Sequence, residues 1–300
     1  MTTMFKSATL YRINWQRDIT TALVEKALDT QAFTPCAPTQ EKSVGWIPVR
    51  GDQHGLLLES IGGQWIARLM VETRTVPSAA IQRATEERIQ IVLKETGRKP
   101  GKKETREIKD DARLALMPHA FPKQVATWAW IDAKVGLLVL DTASQPCADE
   151  VITALVKALD GLVVVPINTQ VAPAAAMATW LTTHEGPKSF SVDRECELKA
   201  TDESKAVVRY TRHALDTEEV SQHIAMGKLP TRLALTWNDR VSLVLTEGLQ
   251  LKKLAFLDVV FSDAVALAAD GFDADLAIFT GELAQMIPDL LLALGGEVTA

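Results

Sequence analysis

Three hundred residues carry 32 Lys and Arg against 38 Asp and Glu, a formal charge of −6, and 47% of them are apolar. That composition is globular, with chain enough for one large domain or two to three smaller ones. No apolar run reaches the roughly 18–20 residues of a membrane span, and MTTMFKSATLYRINW at the N-terminus has neither an apolar h-region nor a small-residue cleavage site, so a cytoplasmic protein without export signal or membrane contact is expected.

Taken in chain order, ATLYRI (8–13) predicts a strand, ITTALVEKAL (19–28) a helix and AFTPC (32–36) a second strand. QWIARLMVETRTV (64–76) alternates Trp65, Ala67, Leu69 and Val71 with Gln64, Arg68 and Glu72, the period of a half-buried strand. Pro77 ends it, and Ser78 is placed to cap a helix whose Ile81, Ala84, Ile89 and Val92 share one face. Gly97 and Pro100-Gly101 interrupt that helix, and a second runs from about Lys102 to Leu116. WAWIDAKVGLLVLD (128–141) predicts a hairpin turning at Lys134 to Gly136. EVITALVKAL (150–159) and LVVVP (162–166) then repeat the opening layout, TALV included, which points to a duplicated strand–helix–strand unit.

Residues 167–189, rich in Ala, Thr and Pro, predict a linker. LDTEEVSQHIAMGK (215–228) predicts a helix with Asp216 and Glu219 as a capping box and Gly227 at its stop. TRLALTW, RVSLVL and LKKLAF follow as strands, ADLAIF (274–279) as another, and LAQMIPDLLLALGG (283–296) holds the last helix. The fold class expected is α+β with mixed sheets, in two or three lobes.

Familiar catalytic signatures are missing. There is no GxxxxGK[ST], no GxGxxG after a strand, no GxSxG and no HExxH. Cys36, Cys147 and Cys196 are too scattered for a disulfide framework or a zinc site, and the five histidines are equally dispersed. Asp273 and Asp275 in FDAD imitate a two-carboxylate metal site, but without further ligands they do not carry a nuclease assignment. No metal, cofactor or catalytic residue is expected.

Charge is polarised along the chain. Lys94 to Lys109 hold seven basic residues against Glu95, Glu104 and Glu107, while nothing after Lys253 is basic. At about 100° per residue, Lys102, Arg106, Lys109 and Arg113 form one stripe of the second helix. Glu104, Glu107, Asp110 and Asp111 take the far side, with Ile108, Ala112, Ala115 and Leu116 on a third face. Lys103 stands four residues before Glu107 and is expected to pair with it. Such sorting favours a polyanion contact that tracks phosphates without reading bases.

Several segments then resemble the RdgC family of bacterial recombination-associated nucleoid proteins, over nearly the whole length. They are AFTPC (32–36), GWIP (45–48), LMPHAF (116–121), WID with GLLVLD (130–141), VVP (164–166), LDTEEVSQHIAMGK (215–228), LALTW (233–237), FDAD (272–275), TGEL (280–283) and LGGE (294–297). The resemblance implies a horseshoe-shaped protomer with a central region (1–76 and 123–175), a helical tip (77–122) and a C-terminal base (176–300). Two protomers joined tip to tip and base to base would form a ring around double-stranded DNA, a nucleoid-associated homodimer that limits RecA access and acts without catalysis. It places DNA contacts at Arg98, Lys99, Lys102 and Lys103, which Arg106, Lys109 and Arg113 join from the stripe, and at the pair Arg209 and Arg212. Phe121 matches a hook into the partner protomer, the competing reading being an ordinary core aromatic. His119 departs from an arginine common two residues before that phenylalanine, which implies a contact weakened near neutral pH and restored in acid. The alternative function is a regulator that acts directly on the recombinase through the acidic C-terminal region.

Overall fold

One antiparallel sheet runs through most of the chain. The computed structural model describes residues 4–15, 19–51, 54–264 and 271–298. The chain opens with β1 (Ser7–Trp15), α1 (Thr21–Asp29), β2 (Lys42–Ile47), β3 (Leu58–Ile61) and β4 (Gln64–Arg74). The tip follows as α2 (Ser78–Thr96), α3 (Lys102–Leu116) and a 3-10 turn at Met117–His119. The chain then returns through β5 (Pro122–Asp132), β6 (Leu137–Leu140), α4 (Gln145–Ala158), β7 (Leu162–Pro166) and α5 (Pro173–Thr183). The remainder is β8 (Phe190–Ala200), β9 (Val207–Thr211), α6 (Glu218–Ala225), β10 (Lys228–Trp237), β11 (Val241–Thr246), β12 (Leu251–Phe256), α7 (Asp258–Ala264) and α8 (Gly271–Ala293).

The strand order is β2-β4-β5-β6-β1-β12-β11-β10-β8-β9, with β3 also on β4 and β7 also on β1. Every described strand pair is antiparallel, so the class is α+β but the expected mixed sheet is not formed. The reason lies in what separates the parallel-running strands. α4 links β6 to β7, and β1 lies between them and pairs antiparallel with both. The strand–helix–strand pattern therefore gives parallel strands that never touch. α1 follows the same logic, because β1 and β2 run parallel with β6, β5 and β4 interposed.

AFTPC is not a strand. Only Ala32 makes a bridge, to Trp46, and the Phe33 N–H donates to the Trp46 carbonyl at 2.8 Å. Gly45 makes this approach feasible, since a Cβ there would lie 2.4 Å from the Phe33 Cα. The AFTPC and GWIP segments are thus the two sides of one close contact.

β4 is buried on both faces rather than half-buried. Ile66 joins Trp128, Trp130 and Val139 in the larger core, while Trp65, Ala67 and Leu69 join a second core with Val24 and Leu28 of α1 and Val151 and Leu155 of α4. Its polar residue Glu72 is 1% exposed. The carboxylate accepts the Cys36 N–H at 2.8 Å and the Gln124 amide at 2.7 Å, so the buried charge is hydrogen-bonded.

Four other expectations change. Residues 173–183 form α5 rather than a linker; Ala176, Met177, Trp180 and Leu181 recur at helical spacing and enter the larger core. ADLAIF lies inside α8, where Leu276, Phe279, Leu283, Met286, Ile287, Leu290 and Leu291 are buried with helical period. Ser78 makes no cap hydrogen bond, because Pro77 occupies the N-cap. The Asp216–Glu219 box is absent too: Thr217 is the N-cap of α6, and Glu219 accepts the Tyr210 hydroxyl at 3.0 Å.

α8 also revises the membrane argument, since its 23 residues are long and apolar enough to cross a bilayer. Half of that window is buried against the protein's own core, and the helix carries Asp273, Asp275, Glu282 and Asp289, which marks it as a core helix.

Candidate nucleic-acid interface

The tip is a helical hairpin set on the ends of β4 and β5. Gly97 ends α2 at φ 71°, the left-handed C-cap position that glycine adopts without strain, and its N–H bonds to the Leu93 carbonyl at 2.9 Å. The Thr105 N–H bonds back to Gly101 at 2.9 Å and starts α3. Pro100-Gly101 therefore separates two helices. Val76, Ile81 and Met117 form a small core of the tip's own, with Ala80, Leu116 and Ala120 packed around it. Ile108 is buried from α3, whereas Ala115 of the same expected apolar face is exposed.

The basic residues divide by what engages them. Arg98 pairs with Glu104 at 2.8 Å, Lys103 with Glu107 at 4.0 Å, and Arg113 with Glu41 at 2.7 Å. The last pair ties α3 to the loop before β2. Lys99, Lys102, Arg106 and Lys109 are exposed, and among the described residues none has a carboxylate within ion-pair distance. Arg106, Lys109 and Arg113 line a groove of about 1050 Å³ between the hairpin and the sheet end, floored by Val76, Ile81 and Ile89. Asp110 and Glu86 line it as well, so the signs are less cleanly sorted than the helical projection suggests.

Phe121 follows the 3-10 turn and is 93% exposed, which removes the core-aromatic reading. His119 is exposed on the same turn. Arg209 and Arg212 are exposed at the far end of the sheet: Arg209 pairs with Glu197 at 2.6 Å, and Arg212 follows β9 with φ 56°. The Thr231 hydroxyl, with Arg209 and Arg232 beside it, holds the Glu197 carboxyl below the usual range. Arg232 and Lys252 escaped the sequence reading because each sits inside a segment read only as a strand, TRLALTW and LKKLAF. The alternation of Arg232, Ala234 and Thr236 with Leu233, Leu235 and Trp237 was the signal that assigns a face.

The acidic C-terminal segment is largely engaged internally. Asp273 pairs with Arg50 at 2.5 Å, Glu282 with Arg240 at 2.7 Å, and Asp289 accepts the Trp237 indole N–H at 2.8 Å. Glu297 pairs with Arg12, and that guanidinium holds its carboxyl below the ordinary range. Asp273 and Asp275 stand two residues apart on α8, about 200° around the helix, so they do not converge on one ion. Among the described residues no three His, Cys, Asp or Glu side chains are grouped to hold a metal. The side chains of Asp263 and Asp270 lie outside the described residues.

The fold and this surface define an α+β protein with a long antiparallel sheet and a basic helical tip. Residues 3–297 match the family described as "Putative exonuclease, RdgC". The chain is 42% identical over 300 residues to the recombination-associated protein RdgC of Dechloromonas aromatica, 40% over 296 to that of Herminiimonas arsenicoxydans, and 39% over 297 to that of Janthinobacterium sp. strain Marseille; each match covers 98% of both chains. The chain belongs to the RdgC family, whose curated relatives here are named as recombination-associated proteins.

Proposed function

We propose that the protein binds double-stranded DNA independently of sequence, as a ring-shaped homodimer that encircles the duplex and restrains RecA-mediated recombination without catalysis. The observation that carries the reading is the set of exposed cations on the tip, Lys99, Lys102, Arg106 and Lys109, with no carboxylate partner among the described residues, in a chain of charge −6. Cations in that state exchange counter-ions for phosphates without first breaking an ion pair. Arg98, Lys103, Arg113, Arg209 and Arg212 extend the contact. Phe121, 93% exposed where the tip returns to β5, suits a tip-to-tip contact. Leu292, Val135 and Val298 are exposed near the end of α8, where a hollow of about 670 Å³ is lined by Ile287 and Leu291, and suit a base-to-base contact. A nucleoid-associated, cytoplasmic setting follows from the ligand.

Encirclement adds residence time, because release requires an interface to open or a DNA end to arrive. Dissociation from closed circular DNA is expected to be slower than from the same DNA linearised; equal rates would refute the ring. Direct action on the recombinase is the less favoured reading, since Asp273, Glu282, Asp289 and Glu297 of the acidic segment are already engaged. A pull-down with recombinase in the absence of DNA tests it. The nuclease reading meets the divergence of Asp273 and Asp275, and incubation of DNA with the protein and magnesium or manganese tests that.

A further inference from the structure

The β8–β12 half of the sheet has two different faces. One packs Cys196, Leu198, Leu233, Leu235, Leu243 and Leu245 into the larger core beneath α5, α6 and α8. Register fixes what the other presents. Arg209 on β9 stands opposite Glu197 on β8, and Glu197 stands opposite Arg232 on β10, so one carboxylate sits between two arginines.

The contacts within this trio are asymmetric. Glu197 Oε2 accepts Arg209 Nε at 2.6 Å; Oε1 accepts the Thr231 hydroxyl at 2.7 Å and lies 4.0 Å from Arg232 Nε. The Glu197 side chain is 13% exposed, while Arg209 and Arg232 are 70% and 48% exposed. Arg209 is hydrogen-bonded through Nε, the guanidinium nitrogen nearest the backbone, whereas Arg232, also nearest through Nε, stands at ion-pair distance without a hydrogen bond. Glu197 therefore engages neither arginine through its terminal nitrogens. Lys252 shares the face through its register with Val244, which itself stands opposite Ala234, two residues from Arg232. Lys253 reaches across to Glu195 at 2.6 Å. With Lys199, exposed two residues along β8 from Glu197, five cations therefore meet three carboxylates on this face, the third being Asp193, which accepts the Thr236 hydroxyl at 2.8 Å.

Resting on the reading that the protein binds duplex DNA, we propose that Glu197 is a positioning residue which props Arg209 and Arg232 with their forks outward, making this sheet face a second phosphate-contacting surface separate from α3. An arginine already fixed at Nε loses less rotamer freedom when its terminal nitrogens meet a phosphate, and its planar fork stays free for bidentate contact. The occupant is the phosphate backbone because the face offers fixed cations and small polar side chains, Thr236 and Ser242 among them, rather than an apolar groove. Arg232 is thereby added to the contact set.

A simple charge argument predicts the opposite sign for loss of Glu197, and that makes the proposal testable. Binding of a fluorescent duplex by wild type, Glu197→Ala, Glu197→Gln and Arg232→Ala is measured by anisotropy at two salt concentrations, with melting temperatures as the fold control. Glu197→Ala is expected to weaken binding roughly three- to five-fold, the scale of an exposed charge pair, although it removes a negative charge. Glu197→Gln should stay within about two-fold of wild type, because its amide oxygen still accepts Arg209 Nε. Arg232→Ala should flatten the salt slope by about one unit. Tighter or unchanged binding by Glu197→Ala overturns the positioning role. Should that variant fail to fold, an unchanged slope in Arg232→Ala overturns the surface instead. A wild-type protein with no affinity for duplex refutes the parent reading, an outcome distinct from both.

Discussion

Replacing Lys102, Arg106 and Lys109 together by Ala tests the tip contact with a magnitude set in advance. All three side chains are exposed and, among the described residues, free of carboxylate partners, so on the proposed function each counts as one full phosphate contact. At about 0.9 per contact, the slope of log affinity against log salt falls by about 2.7. Between 50 and 200 mM salt, a change of about 0.6 in log units, wild type then loses about 40-fold more affinity than the variant. Fold stability should hold within about 0.5 kcal/mol, since exposed helical positions accept Ala. A companion variant lacking Arg98 and Arg113 is expected to fall by less than the roughly 1.8 of two free cations, because each must first leave Glu104 or Glu41. The assay is duplex anisotropy titrated across salt on an arbitrary sequence and its scramble. An unchanged slope in the triple variant refutes the interface, and a loss confined to one sequence refutes phosphate tracking.

Other consequences follow from single residues. Phe121→Ser should leave the melting temperature within a degree or two of wild type, given its exposure, while shifting the scattering mass toward monomer; a large loss of stability would return Phe121 to the core. Gly45→Ala sets a Cβ against the Phe33 backbone and should cost about 3 kcal/mol, the upper end of overpacking, seen as a lower denaturant midpoint; an unchanged midpoint would refute the close approach. Glu72 and Glu297 have carboxyls held below the ordinary range, the first chiefly by the Gln124 amide and the second by Arg12. Their stabilisation is complete above the unfolded value of about 4.3 and is lost as pH falls through the lower folded values. Asp141 acts in the opposite sense, because burial raises its carboxyl and protonation relieves the folded state. Glu297→Gln should flatten the acid limb of stability against pH, and a limb of unchanged steepness would refute that linkage.

The hairpin of the tip was legible because its signals are local: a Gly at the left-handed C-cap, a Pro-Gly break and helical spacing all lie within a few residues of their effects. Strand partnership was not. Nothing in GLLVLD or LVVVP says that β1 enters between them, so a pattern that ordinarily means a parallel pair became two antiparallel ones. ADLAIF failed through its short window, since six residues fit either period and only the continuation to Leu291 decides it. The site shows the same divide. The stripe on α3 follows from spacing, whereas the partners of Arg98 and Arg113 do not: Glu104 lies six residues away across a helix break, and Glu41 comes from another element. The Arg209–Glu197–Arg232 trio required three strands in register, information absent from any one segment.

If an acidic chain is to bind a polyanion as proposed, its own carboxylates have to be kept from opposing the contact, and the ion pairs indicate how. Glu41, Glu104, Glu195, Glu197, Asp273, Glu282 and Glu297 each face a basic side chain. Among the described residues of the tip, the cations outside any ion pair, Arg88, Lys94, Lys99, Lys102, Arg106 and Lys109, outnumber the carboxylates outside one, Glu86, Glu95, Asp110 and Asp111. The pairing also couples charge to architecture. Glu41 leads into β2, the strand held against AFTPC by the clearance at Gly45, and it grips Arg113 on α3. A change that loosens the Phe33–Trp46 contact is thus expected to slacken the Glu41–Arg113 tie between the hairpin and the loop before β2, while the Val76–Ile81–Met117 core still seats the hairpin. Gly45→Ala, which touches no basic residue, is on this reasoning expected to alter the salt slope as well as stability. Lower stability with a slope identical to wild type would show instead that the tip holds its orientation without the Glu41 tether.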